Sequence, residues 1–371
     1  MPNLFNKNWT RQELQRRVPD MSQLAFVRPS TLSEGRSEGI AALDFQTGSG
    51  FQFTVLPGRG LDISQASFRG IPLCWRAYPG EVAAPYFGTG PFGWPSTAFG
   101  GLMSTGGLAS MGLPCVEQGN EFGIHGNVSN LPASNVWSDA EWDGDQYKLW
   151  ARGKIVESEA LTKNLVLTRE ISTEMGASHF TIRDNVENRT HMRSEHMMLY
   201  HFNFGFPILS ADSRLLVNSE SIEPRDEESA KQLANWDRFE SPKDGRPHQL
   251  FYHRLHRDFD GKSHAMLVGM PDYSDGPVGI YLSYSHDTLP WLANWKCMVN
   301  GDYVTGIEPA NAWLQGRAAE REAGRLQYLE PWASVDYEVT FGVLNGRNEI
   351  NEFAEKNHLP TYDENAQESK S

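Results

Sequence analysis

Residues Asp336–Leu344 read DYEVTFGVL. Tyr337, Val339, Phe341 and Val343 recur at every second position, which places them on one face of an extended strand. Moving outward, similar short segments recur between Gly, Pro, Asn and Asp. They are Ile40–Phe45, Phe51–Leu56, Leu61–Phe68, Leu165–Ile171, His179–Val186, Ala265–Met270 and Gly279–Tyr284. Many short strands with few helical stretches predict an all-β sandwich or barrel. The clearest short helices are expected over Asp226–Trp236 and Glu349–His358. Thr10 with Glu13 forms a capping-box pattern, and Pro19 should stop the helix that follows. No βαβ alternation and no GxGxxG after a strand appear, which disfavours a dinucleotide enzyme.

The chain has 371 residues, long enough for two average domains or one large β architecture. Its net charge of -14, with no Lys/Arg stripe, argues against nucleic acid or an anionic membrane as partner. No apolar run approaches the roughly 20 residues that span a bilayer. Cys74, Cys115 and Cys297 are odd in number and widely spaced, so neither a disulfide framework nor a zinc site is expected. With an N-terminus that lacks a signal-peptide core, this predicts a cytoplasmic protein. Phe87–Gly126 is crowded with Gly, Pro and aromatic residues and reads as long loops lining a site.

Four segments set an ionisable side chain among small or apolar neighbours: PGRGLD at Pro57–Asp62, GIHGNVSNLPA at Gly123–Ala133, LYHFNFGFP at Leu199–Pro207, and GIEPAN at Gly306–Asn311. Taken singly, each has a plain alternative. His201 reads as a core histidine, His125 as a turn histidine, and Arg59 as part of a surface turn. Glu308, between Ile307 and Pro309, is expected to be partly buried and therefore to need a partner or a function.

Taken in order, with FGGLMSTGG from Phe99 and the EP-x9-FGVL element from Glu330, these segments resemble the galactose mutarotase-like superfamily, specifically its divergent aldose 1-epimerase branch of DUF4432 type. The resemblance spans roughly residues 50–345. It implies a β-supersandwich of antiparallel sheets with a cleft on one face. It implies residues 39–347 as the sandwich domain, 1–38 as an extension packing on it, and 348–371 as a short helix with a disordered polar tail. It also implies an enzyme that interconverts sugar anomers without a cofactor or metal, acting on a small-molecule sugar as a monomer or homodimer.

Carried over position by position, the catalytic groups are Glu308 as base, His201 as acid and His125 as a hydrogen-bond donor, with Asn203 beside the sugar. The arginine expected just before the HG motif has no counterpart here. Arg59 and Arg76 are the candidates to replace it, with Asp226 for the aspartate that holds sugar hydroxyls. Trp94, Trp236 and Trp295 are candidates to stack on the sugar. A carbohydrate-binding protein would not need both an acid and a base. A glycoside hydrolase needs two carboxyl groups, and only Glu308 is well placed. An epimerase or isomerase for a modified or acidic sugar is the remaining alternative.

Overall fold

The computed structural model describes residues 1–88, 90–271, 274 and 276–362. The alternation that opens the sequence reading is realised in strand Ser334–Asn345, where Tyr337, Val339, Phe341 and Val343 are all buried. This strand lies inside an eight-stranded antiparallel sheet. It is flanked by His179–Asn188 and Val278–Ser285, and the sheet's edges are Ser134–Asp143 and Arg214–Val217.

A second sheet runs from Ser219–Pro224 through Gln249–Leu255, Trp291–Met298, Tyr303–Ala310, Ser194–Gly205, Met103–Leu108, Asp62–Phe68, Phe51–Leu56 and Ala41–Gln46 to Phe26–Thr31. The sheets pack through aromatic rings. Phe341 lies 6.0 Å from Phe202 and 6.4 Å from Phe204, and Phe53 lies 4.9 Å from Phe180. Burial of such rings is the main apolar contribution to holding the layers together.

Between the sheets sits a polar node. Arg169, fully buried, donates to Asp184 at 2.7 Å and to the Thr105 hydroxyl at 2.7 Å, and it approaches Asp62 at 3.4 Å. The Tyr200 hydroxyl donates to Asp184 at 2.6 Å. Burial pushes the Asp62 carboxyl upward against the pull of Arg169. Pairing of this kind is what makes buried charge tolerable.

Three features differ from the sequence expectation. Met103–Leu108, inside the supposed loop region, is a fully buried central strand. Its glycines and small polar residues suit a strand covered on both faces, where bulky alternation is not required. Phe26–Thr31, from the supposed extension, pairs with Ala41–Gln46 as the sheet's last strand. The helix expected over 226–236 shrinks to Glu227–Ala230 and a 3₁₀ turn at Leu233–Asn235. Beyond it, the buried Lys296 donates to the carbonyls of Asn235 and Arg238. Thr10 and Glu13 do form the capping box. The C-terminal helix is Arg347–Lys356, and most of the polar tail lies outside the described residues. No helix of the described residues is long and apolar enough to cross a membrane.

Candidate active site

Alternation in strand Ser194–Gly205 divides its side chains. Tyr200, Phe202 and Phe204 enter the inter-sheet core, while His201 and Asn203 face the other way, into a cavity of about 490 Å³. The register that sets Phe202 opposite Ile307 and Asn203 opposite Gly306 sets Glu308 opposite His201. Glu308 Oε1 lies 3.2 Å from His201 Nε2. Contact is close but off the N–H axis, and both carboxylate oxygens lack a hydrogen-bond partner. Gly306 makes this placement possible, because a Cβ there would stand 2.0 Å from Glu308 Oε1.

His125 arrives from a loop in the left-handed region, φ 56°, its backbone held by Gly107 and Gly112. Its ring meets His201 edge-on at 5.4 Å and Trp94 at 4.9 Å. Trp295, on the strand next to Glu308, lies 5.8 Å from His201. Trp75, Trp94 and Trp295 give the cavity aromatic walls, and His125, His201, Asn203 and Glu308 form its polar end. This combination suits a sugar, which has both an apolar ring face and hydroxyl edges.

Burial sets the protonation states. It lowers His201 to about 3, helped by His125, and lowers His125 to about 4. It raises Glu308 well above the usual carboxylate range, with Arg225 opposing. Burial therefore disfavours an imidazolium beside a carboxylate and favours the neutral pair. The two arrangements differ only in which partner carries one shared proton. The buried Nδ1 atoms of His125 and His201 also lack partners among the described residues, as expected where a ligand supplies them.

The remaining expectations separate. Asn203 lines the cavity, its amide bonded to the His201 carbonyl at 3.1 Å. Arg59 does not line it. Its guanidinium is fully buried and donates to the backbone carbonyls of Ser129, Val82 and Thr97. Arg76 turns to Glu81 and to the Ser64 carbonyl, outside the cavity. Asp226 caps the helix Glu227–Ala230 and does not line it either. Trp236 packs on His253 at 4.8 Å.

Sequence reasoning missed Arg225, which lines the cavity and is held by Asp226 through Nε at 2.8 Å. It also missed His248, on the rim within 3.2 Å of Cys297. The EPRDEE segment pointed to the right place. The residue taken from it, Asp226, accepts instead from Ser229 N and Oγ as the helix N-cap, and its neighbour Arg225 is the one that lines the cavity.

The fold is that of galactose mutarotase-like structures. The chain belongs to the DUF4432 family, described as a domain of unknown function, whose profile matches residues 37–343. A candidate aldose 1-epimerase from Klebsiella pneumoniae superposes with a TM-score of 0.85 at 24% identity, covering 91% of this chain and 90% of that one. A galactose mutarotase-like protein from Clostridium acetobutylicum superposes with a TM-score of 0.57 at 13% identity, covering 87% and 99%. Galactose 1-epimerase from Lactobacillus acidophilus gives 0.55 at 10% identity, also over 87% and 99%. At these identities the likeness establishes the fold. No curated protein matches the chain in sequence.

Proposed function

We propose that the chain is an aldose 1-epimerase-like isomerase that interconverts the anomers of a reducing sugar. The observation that carries this reading is the unsatisfied His201–Glu308 pair, 3.2 Å apart at the polar end of an aromatic-walled cavity. Anomer exchange needs one group to take the proton of the anomeric hydroxyl and another to protonate the ring oxygen.

The pair holds one proton between them. Burial favours that proton on Glu308. Sugar hydroxyls, with the Arg225 charge that already opposes Glu308's upward shift, favour its move to His201. Glu308 then takes the O1 proton as His201 protonates O5, and the C1–O5 bond opens to the free aldehyde. Rotation about C1–C2 and reversal of the proton transfers close the ring on the other face. His125 donates to the oxygen on which charge develops, and Asn203 and Arg225 bind hydroxyls. Trp94 and Trp295 cover the ring face. No step calls for a metal or a redox cofactor. A cytoplasmic setting fits the three free cysteines.

The test is NMR exchange spectroscopy of the purified chain with a panel of reducing aldoses, ketoses and uronic acids. Accelerated anomer exchange for at least one sugar is expected. Exchange at the buffer rate for every member would refute the proposal.

A further inference from the structure

The PGRGLD segment does not touch the cavity, yet it sits beneath the loops that do. Arg59 is wholly buried and makes no ion pair among the described residues; Asp62 and Glu81 act on it through space, and burial lowers it to about 10. Its donors are spread over three separate stretches of backbone. Nε donates to the Ser129 carbonyl at 2.8 Å, Nη1 to Val82, and Nη2 to Thr97 at 3.1 Å. The Phe99 ring lies 5.2 Å from the guanidinium carbon.

Each stretch leads directly to a cavity wall. Thr97 ends the turn Trp94–Ser96 and precedes Ala98, and Ser129 follows His125 by one short turn. Val82 follows the Trp75–Pro79 wall. Two further bonds tie the same stretches together: Thr97 Oγ1 donates to Asn130 Oδ1 at 2.9 Å, and Gly60 N donates to the Leu131 carbonyl at 2.9 Å. Gly60 itself sits so close to Val128 that a Cβ would stand 2.8 Å from its carbonyl oxygen.

Loops cannot satisfy buried carbonyls from their own ladder, and a planar guanidinium presents five donors in a fixed fork. We propose that Arg59 is a positioning residue, whose three carbonyl contacts hold Trp94 and His125 at the cavity in the geometry catalysis uses. The assignment of a catalytic effect rests on the anomer-exchange reading; the assignment of loop order does not. A lysine keeps the charge but cannot reach three divergent carbonyls, so Arg59→Lys separates charge from geometry.

The experiment compares Arg59→Lys, His125→Ala and the double variant, by hydrogen exchange and by steady-state kinetics. In Arg59→Lys, exchange is expected to rise about tenfold in segments 80–99 and 123–133, with strands 194–205 and 303–310 unchanged. Each single variant is expected to lower kcat/KM about tenfold, and the double variant no further than the worse single one. Unchanged exchange in the two loop segments overturns the proposal, as does a uniform rise across loops and strands. Additive kinetic losses overturn the route through His125. A wild-type chain without anomerisation refutes the functional reading instead, while the exchange pattern still decides the role of Arg59.

Discussion

Glu308 stands opposite His201 on the neighbouring antiparallel strand, its carboxylate 3.2 Å from the imidazole and otherwise without a hydrogen-bond partner. Two rigid strands, rather than loops, hold the pair. Substituting either partner should therefore remove chemistry without disturbing the sheet. Glu308→Gln and His201→Asn are each expected to lower kcat by roughly 10²-fold or more. The double variant should lose little beyond the worse single one, because the pair acts as a unit. Near-wild-type turnover in either variant, measured by polarimetry on the best sugar of the panel, would exclude the assignment.

Gly306 offers a finer test of the same geometry. The Cβ of Gly306→Ala would stand 2.0 Å from Glu308 Oε1. What it meets is the free end of a side chain, so the protein should fold with the carboxylate displaced. A loss of about tenfold or more in kcat, with Tm within a few degrees of wild type, is expected. Unchanged kcat would mean that the carboxylate's position is not critical.

The pH–rate profile follows from the shared proton. His201 is lowered to about 3 and Glu308 is raised, so the pair keeps a single proton as pH falls through the ordinary histidine range. The profile should show no acid limb at the usual histidine value. A half-maximal point near pH 6.5 would show that His201 titrates as an ordinary exposed imidazole.

Acid should nonetheless destabilise the fold. Burial lowers His125 and His196 to about 4, and His201 and His253 to about 3. Unfolded imidazoles titrate near 6.5, so unfolding takes up about two protons on these four rings at pH 6.5 and close to four near pH 5. Glu308 and Asp62, both raised, each release up to one, leaving a net uptake of about two near pH 5. The histidine contribution is fullest above about pH 6.5, and near pH 5 stability falls as pH drops, by about 1.4 kcal/mol per unit for each net proton. Urea midpoints measured at pH 5 and pH 7 check the sign. Equal midpoints would count against four buried neutral histidines.

Arg169 holds Asp184 and Asp62 between the sheets. Arg169→Met leaves both carboxylates unpaired and should cost about 3–5 kcal/mol. Equilibrium urea unfolding gives the number. A loss below about 1 kcal/mol would show that the node contributes no more than a surface pair.

The architecture was legible because alternation such as that of Tyr337, Val339, Phe341 and Val343 survives wherever one strand face is buried and the other is not. Met103–Leu108 escaped because it is covered on both faces, so glycine and serine carry no periodic signal. The segment after Ala230 is held by Lys296, from a strand far along the chain, and no local propensity reports that.

At the site, each segment named a residue type but not a direction. His201, Asn203, Glu308 and His125 do converge, whereas Arg59 turns into the loops and Asp226 into a helix cap. A glycine-flanked arginine looks the same in sequence whether it reaches a ligand or three carbonyls. Period-two alternation by itself determined that this is a β protein, and the ordered short segments determined the superfamily it resembles. Only tertiary structure decided that Arg225 faces the cavity, that Gly306 admits the Glu308 carboxylate, and that burial disfavours charge on the pair. Those depend on strand register and on how completely water is excluded, which are properties of residues brought together from distant positions.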